Sequence, residues 1–180
     1  MVPLNVPSDA WLKASVPLPV NGQAERAAAF GEALRTVAVR ASGRRNAGDA
    51  VAGADPQARS GQSTAGATHL IKVACEAATG KRGHVGVFGT DYATPDGTGV
   101  RDYIHVSDLA AAHVLALEAL ITQPERSLTM NCGYGRGFSV LEVLDAVDRV
   151  TNLKIQRQFG PRRAGDPAAL VSDPSRIRAT

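Results

Sequence analysis

The sequence has 180 residues, enough for one domain with a core of its own, and 44% of them are hydrophobic. The formal net charge is only +3, and aromatic residues make up 4%. This scattered basicity without interleaved aromatic residues argues against nucleic-acid binding. No run approaches the ~18 apolar residues of a membrane span, and the N-terminus has no signal-peptide core, so we expect a cytoplasmic protein.

The first 50 residues carry weak patterns. Residues 1–22 are rich in proline and predict a loop, 23–33 are rich in alanine and permit a helix, and 34–40 alternate like a strand. Residues 41–50 have no packing face and predict a disordered insert. Cys75 and Cys132 lack metal-ligand spacing and are expected to be buried thiols.

Better-defined elements begin near Thr68. Apolar spacing predicts a helix from Leu70 that Gly80 ends, and Ser139 with Glu142 forms a capping box at the start of another helix. The face of that second helix is predicted from Val140, Leu141, Leu144, Val147 and Val150. A buried helix is predicted over residues 109–120, with core histidines at His105 and His113. Predicted strands cover residues 85–88, 101–106, 128–131 and 155–159.

A turn-rich loop joins the strand at 85–88 to the strand that begins with Arg101. Pro95, Asp96 and Gly97 have the residue types of a tight turn: proline presets φ, aspartate caps, and glycine takes positive φ. The loop brings Arg101 to a sheet edge, where its planar fork suits a phosphate. A surface ion pair is the commoner role for an arginine in such a position.

The stretch FGTDYATPDGTGVRDYIHVSDLAAAH, residues 88–113, resembles the substrate domain of UDP-glucose 4-epimerases, which are extended short-chain dehydrogenases/reductases. The resemblance implies an α/β fold: the C-terminal substrate-binding part of a Rossmann-type protein, with an incomplete sheet. Residues 1–50 are then an eroded, partly disordered remnant of the catalytic region. Residues 51–180 are a UDP-sugar-binding substrate domain, truncated at its C-terminus.

The resemblance also implies roles for charged residues. Arg101 and Arg163 match the two arginines that contact the UDP diphosphate in the family, and Asp166 matches the aspartate that binds the ribose. Without the resemblance, the favoured interpretation of both arginines is that they are solvated surface residues.

Other matched positions line the base in the family. The uracil is walled there by residues that match Leu70, Gly86, Val87 and Phe88. His69 falls where some members carry a substrate-binding asparagine, and it can also donate a hydrogen bond. Leu170 replaces a family tyrosine, so one substrate contact is altered.

The family's catalytic residues have no match in this sequence. Family members hold NAD on an N-terminal Rossmann domain and use a Tyr-x-x-x-Lys pair. The three tyrosines here are followed four residues later by Asp96, Ser107 and Phe138, none of them lysine. The glycines of residues 133–137 lack the G-x-G-x-x-G spacing, so we expect this chain alone to bind no NAD.

Three hypotheses follow from these residues. The leading one is an inactive fragment of the UDP-glucose 4-epimerase type, a family that interconverts UDP-glucose and UDP-galactose, which retains UDP-sugar binding. The second is a non-catalytic binding or interaction module that sequesters UDP-sugars, forms a homodimer or pairs with an intact epimerase. The third is a degenerate product that does not fold stably, because half a sheet leaves strand edges and apolar surface uncovered.

Overall fold

The computed structural model describes residues 51–54, 61–63 and 65–180. The patterns assigned to residues 1–50 lie outside these ranges. The described residues divide into two units, a first that contains residues 108–129 and a second that contains residues 51–54, 61–63, 65–107 and 130–180.

Four helices and seven strands lie within the described residues. The helices are α1 (Leu70–Ala78), α2 (Val106–Thr122), α3 (Val140–Thr151) and α4 (Ser175–Ala179). The strands are β1 (Val51–Ala52), β2 (Val85–Phe88), β3 (Val100–Arg101), β4 (Ile104–His105), β5 (Phe138–Ser139), β6 (Arg157–Gly160) and β7 (Ala169–Leu170). No described helix is both long and apolar enough to cross a membrane.

The second unit contains three small sheets among its described residues. Strand β2 pairs with β6 in parallel, with Val85 opposite Arg157 and Phe88 opposite Gly160. Strand β3 lies between β5, which is antiparallel, and β7, which is parallel. Strands β1 and β4 form the third pair, also parallel. The predicted α/β fold with an incomplete sheet is confirmed.

The core of the second unit lies where α1 and α3 pack over β2. Its buried members are Val73, Ala74, Val85, Val87, Leu144 and Ile155. Val85 and Val87 alternate with Gly86 along β2, so one face of this strand supplies the core. The helix predicted from Leu70 and the strand at 85–88 are therefore confirmed, and together they place Gly86 and Phe88 beside the start of α1.

Helix α3 begins at the predicted capping box. The amide of Glu142 donates to Ser139 Oγ at 3.0 Å, and the amide of Ser139 donates to Glu142 Oε2 at 2.7 Å. Leu144 is fully buried on the inner face, whereas Val150 is 83% exposed. Including Val150 in the buried face was wrong, because the helix ends one residue later, at Thr151, and is followed by Asn152 in the left-handed conformation.

Helix α2 differs from its prediction as a buried helix. His113 is exposed, and Val114, Leu115 and Ile121 are also exposed. Leu117 is the buried residue of this helix. His113 Nδ1 lies 2.7 Å from the carbonyl oxygen of Leu109, so its ring bonds along its own helix.

Three strand predictions need correction. Residues 128–131 form no strand, and the predicted strand 101–106 is divided into the two-residue strands β3 and β4. The strand predicted over 155–159 runs from Arg157 to Gly160. Cys75 is exposed, contrary to expectation, and Cys132 is half-buried; both are free thiols.

Replacing Leu144 by alanine tests the packing of α3 on β2. We expect Leu144→Ala to lower the free energy of unfolding by about 2–5 kcal/mol, because a fully buried leucine leaves a cavity when it is shortened. The matched control Leu153→Ala, at a half-exposed position just beyond α3, should cost less than about 1 kcal/mol. Urea denaturation measures both, and equal losses would contradict this core.

Candidate functional site

The loop between β2 and β3 is closed by hydrogen bonds around the predicted turn. One carboxylate oxygen of Asp96 accepts from the amide of Thr98 at 2.8 Å and from its hydroxyl at 2.7 Å. The other oxygen accepts from the hydroxyl of Ser139, the residue that caps α3. Asp96 therefore fastens this loop to the start of α3, a link that joins residues 43 positions apart.

The glycine of the turn has a structural role of its own. Gly97 has φ of +78°, and a Cβ there would collide with the carbonyl oxygen of Thr90. Its carbonyl accepts from the amide of Tyr92 at 2.9 Å, and its amide donates to Thr94 at 3.2 Å. These hydrogen bonds fix the conformation of the loop and so the position of Arg101 in β3.

The side chain of Arg101 is held against the loop that precedes β7. Its Nη1 donates to the carbonyl oxygens of Val100 at 2.8 Å and Pro167 at 3.0 Å. Its Nη2 lies 4.0 Å from Oδ1 of Asp166. The parallel pairing of Arg101 with Leu170 brings these two segments together.

Asp102 anchors the neighbouring segments. Its carboxylate is buried and accepts from the amides of Tyr134 at 3.1 Å, Gly135 at 2.9 Å and Ser172 at 3.3 Å. The hydroxyl of Ser172 donates to it as well, at 2.5 Å. The role of Asp102 was not predicted from the sequence, because its partners lie 32 to 70 positions away.

Two adjacent arginines stack on two aromatic rings. The guanidinium carbon of Arg163 lies 3.7 Å from the centroid of Phe88, and that of Arg162 lies 4.3 Å from the centroid of Tyr92. Arg162 also donates from Nε to Asp91 at 2.6 Å. These contacts hold the loop after β6 close to the end of β2.

A cleft of about 390 Å³ in the second unit gathers most of the predicted site residues. Six of the eight residues line it: Leu70, Gly86, Phe88, Arg101, Arg163 and Asp166. His69 and Val87 are not among the lining residues. Val87 turns its side chain into the core, and His69 immediately precedes α1, where its carbonyl accepts from the amide of Val73 at 2.9 Å.

Other lining residues were not predicted. Tyr92, Tyr103, Arg82 and His84 also border the cleft. Tyr103 follows Arg101 by two positions, and side chains two apart along extended backbone point the same way, so the spacing could have indicated it. Arg82 could not be found this way, because it reaches the cleft from the turn after α1.

The cleft is positively charged. The described residues that line it include Arg82, Arg101 and Arg163 but only one carboxylate, Asp166. Arg82 is compensated by an ion pair with Glu76 at 2.9 Å. The arrangement is suited to holding an anion beside an aromatic ring, and the described residues contain no cluster of three or more histidine, cysteine or acidic side chains that could hold a metal ion.

Two amides of the glycine-rich turn at residues 133–137 are engaged within the protein. The amides of Tyr134 and Gly135 already donate to Asp102. At the start of α3, the amide of Val140 donates to Gly99 and that of Glu142 to Ser139. These four amides are therefore not open to a pyrophosphate.

Small parallel sheets flanked by helices, with loops converging on a cationic cleft, define an α/β protein of the Rossmann type. Comparison with known proteins gives the family. Residues 47–133 match the NAD dependent epimerase/dehydratase family. The UDP-glucose 4-epimerase of Azospirillum brasilense is 59% identical over 128 residues, which are 71% of this chain and 36% of that protein.

Solved structures agree with this match. The UDP-glucose 4-epimerase of Stenotrophomonas maltophila, with bound NAD and formylated UDP-arabinopyranose, has a TM-score of 0.69 and 43% identity, covering 72% of this chain and 38% of its own. That of Bifidobacterium longum, in complex with NAD+ and UDP, has a TM-score of 0.61 and 39% identity over the same shares.

Residues 47–133 belong to the NAD dependent epimerase/dehydratase family, and the matched part of the chain is related to UDP-glucose 4-epimerases. It spans little more than a third of the length of the curated relatives that it matches.

Acid titration tests the link made by Asp96. Burial alone would raise the pKa of Asp96, but hydrogen bonds from Ser139 and Thr98 outweigh it and hold this pKa below its ordinary value of 3.8. A carboxylate with a depressed pKa in the folded protein stabilises the fold above the unfolded pKa, and the stabilisation is lost as pH falls through the folded pKa. We therefore expect Asp96→Asn to be less stable at pH 7 and to lose less stability than wild type between pH 7 and pH ~3.

Urea denaturation at a series of pH values gives this comparison. Ser139→Ala, which removes one donor to Asp96, should flatten the pH dependence in the same direction. Parallel curves for wild type and both variants would show that Asp96 does not contribute in this way.

Proposed function

We propose that residues 51–180 form a UDP-sugar-binding domain and that this chain of 180 residues binds UDP-sugars without epimerising them. The observation that carries the proposal is the convergence of Arg101, Arg163 and Asp166 on one cleft that also contains Phe88. The end of β2, strand β3 and the loop after β6 supply these four side chains, so their meeting is a property of the fold.

Arg101 is suited to a diphosphate oxygen. Its Nη1 is committed to two backbone carbonyls, which fix the plane of the guanidinium and leave Nη2 toward the cleft near Asp166. A guanidinium fixed in this way loses little conformational entropy when it binds an anion. Arg163 supplies the second positive charge, as two arginines would neutralise a diphosphate.

Asp166 is suited to the hydroxyl groups of a ribose. Its side chain is 31% exposed and lies 4.0 Å from Arg101. A carboxylate accepts hydrogen bonds and donates none when ionised, so vicinal hydroxyls are fitting partners. Its position beside Arg101 places the ribose next to the diphosphate, as in a nucleoside diphosphate.

The remaining wall suits a planar base. Leu70, Gly86 and Phe88 border the cleft at the end of β2 and the start of α1. The UDP and UDP-sugar named for the two solved relatives support uracil as this base. His69 and Val87 adjoin the same wall in sequence, and we propose backbone contacts for Val87 rather than side-chain contacts.

The proposed lack of epimerisation follows from missing groups. Proton abstraction from a sugar hydroxyl by the family's pair needs a tyrosine with a lysine four residues later, and none of the three tyrosines has one. Because the amides of Tyr134 and Gly135 in the glycine-rich turn already donate to Asp102, we also propose that the chain alone binds no NAD. Its role would be that of a cytoplasmic UDP-sugar-binding protein related to nucleotide-sugar metabolism.

A second candidate function is association with another copy or with an intact epimerase. Leu115 and Ile121 on α2 are 57% and 62% exposed, an apolar surface that a partner could cover. Size-exclusion chromatography with light scattering tests this candidate. A monomer at all concentrations, with no co-elution of an added full-length relative, would remove it.

Calorimetric titration with UDP tests the binding proposal. We expect saturable binding of UDP that Arg101→Ala weakens roughly tenfold or more, because a charge-assisted hydrogen bond to phosphate is lost. Arg149→Ala makes the same change of charge at an exposed position of α3 outside the cleft, and it should leave the affinity within about twofold. Equal affinities for both variants, or no UDP binding by wild type, would contradict the proposal.

An assay of epimerisation tests the proposal that the chain does not epimerise UDP-sugars. Incubated with UDP-glucose and NAD, the purified chain should form no UDP-galactose above a blank without protein, because the proton-abstracting pair is missing. Turnover that co-purifies with the chain through two different columns, and that is absent from a mock purification, would show that the chain is an active enzyme.

A further inference from the structure

The ring of Phe88 has only one face that a ligand could use. A Cβ built on Gly86 would lie 2.9 Å from Cε2 of this ring, and one built on Gly160 would lie 3.4 Å from Cδ1. The ring therefore rests on two glycines of the paired strands β2 and β6. Its opposite face is the part that remains for stacking, in keeping with its 40% exposure.

Arg163 occupies that face. Its guanidinium carbon lies 3.7 Å from the ring centroid, which is direct stacking contact. A planar base needs the same surface at about the same separation. Arg163 and a base therefore compete for one face of Phe88 in this arrangement.

The arginines near the cleft are held in different ways, and Arg82 has its ion pair with Glu76. Arg101 is fixed by two carbonyl oxygens, and Arg162 by its ion pair with Asp91. Within the part of the chain that the structure describes, Arg163 has no ion pair or side-chain hydrogen bond and is held by the ring alone. It is the arginine that can leave its position at the lowest cost.

We propose that Arg163 is a specificity-determining residue that makes the cleft select nucleoside diphosphates over nucleosides. This inference rests on the proposed function. A nucleoside must displace Arg163 from Phe88 and offers the guanidinium nothing in return. A nucleoside diphosphate provides a new anionic partner for Arg163, so the base takes the ring as the guanidinium moves to the diphosphate.

Titrations of uridine and UDP with wild type and Arg163→Ala separate this inference from simple phosphate binding. Arg163→Ala should bind UDP more weakly, because a cation is lost, but should bind uridine roughly threefold or more tightly, because the face of Phe88 is open. Both changes raise the ratio of the uridine affinity to the UDP affinity in Arg163→Ala. If Arg163 only bound phosphate and did not cover the ring of Phe88, Arg163→Ala would weaken UDP binding and leave the affinity for uridine unchanged.

A double-mutant comparison assigns the gain to the ring. In a Phe88→Leu background, where no aromatic face exists, Arg163→Ala should no longer improve uridine binding. Circular dichroism spectra and thermal melts show whether each variant folds; Arg163 is exposed, so its replacement should leave the melt unchanged.

The outcomes differ for the inference and for the function on which it rests. Uridine affinity that is lower in Arg163→Ala, unchanged, or undetectable in both proteins overturns the specificity role while UDP binding by wild type stands. A uridine gain that persists in the Phe88→Leu background also overturns it. No binding of UDP by wild type overturns the proposed function itself.

Discussion

The buried carboxylate of Asp102 is the constraint on which the site depends. It is only 8% exposed and accepts from four donors, three backbone amides and one hydroxyl. A buried carboxylate is costly unless hydrogen bonds replace its water, and here neutral groups supply them. The backbone of Gly133 packs directly against this carboxylate, since a Cβ at Gly133 would lie 2.6 Å from an oxygen of Asp102.

Asp102 also orients its neighbour in the chain, Arg101, toward the cleft. Arg101 precedes it directly, and consecutive side chains of extended backbone point to opposite sides. Fixing Asp102 inward among the residues of 133–135 and 172 therefore presents Arg101 to the cleft. The turn closed by Asp96 and Gly97 sets the other end of the same segment.

Neighbouring residues in the loop after β6 have different roles. Arg162 binds Asp91 and stacks on Tyr92, and these contacts fix the position of the loop. Arg163 and Asp166, on the same loop, extend into the cleft. Arg163 remains held by a ring alone, in contrast to Arg101. One short loop thus combines an anchor with a side chain that is free to exchange partners.

Local signals in the sequence predicted local structure well. The capping box of Ser139, the apolar spacing of α1 and the turn at Gly97 are each specified within a few residues, and each is present. The two-residue strands were not predictable from periodicity, since β7 exists only through its pairing with β3.

Long-range contacts set the limits of sequence reasoning at the site. The resemblance named six residues that line the cleft, but the stack of Arg163 on Phe88 joins positions 75 apart, and no spacing indicates it. The exposed face of α2 was also unpredictable, because its apolar composition alone suggested burial.

Mapping the binding site of UDP by two-dimensional amide NMR tests the central claim most directly. The account predicts that UDP shifts the amide signals of residues 86–89, 99–103 and 163–166 together, with one dissociation constant, and leaves the exposed end of α3 unchanged. Shifts that fall elsewhere, or that divide into groups with different constants, would contradict a single UDP site in this cleft.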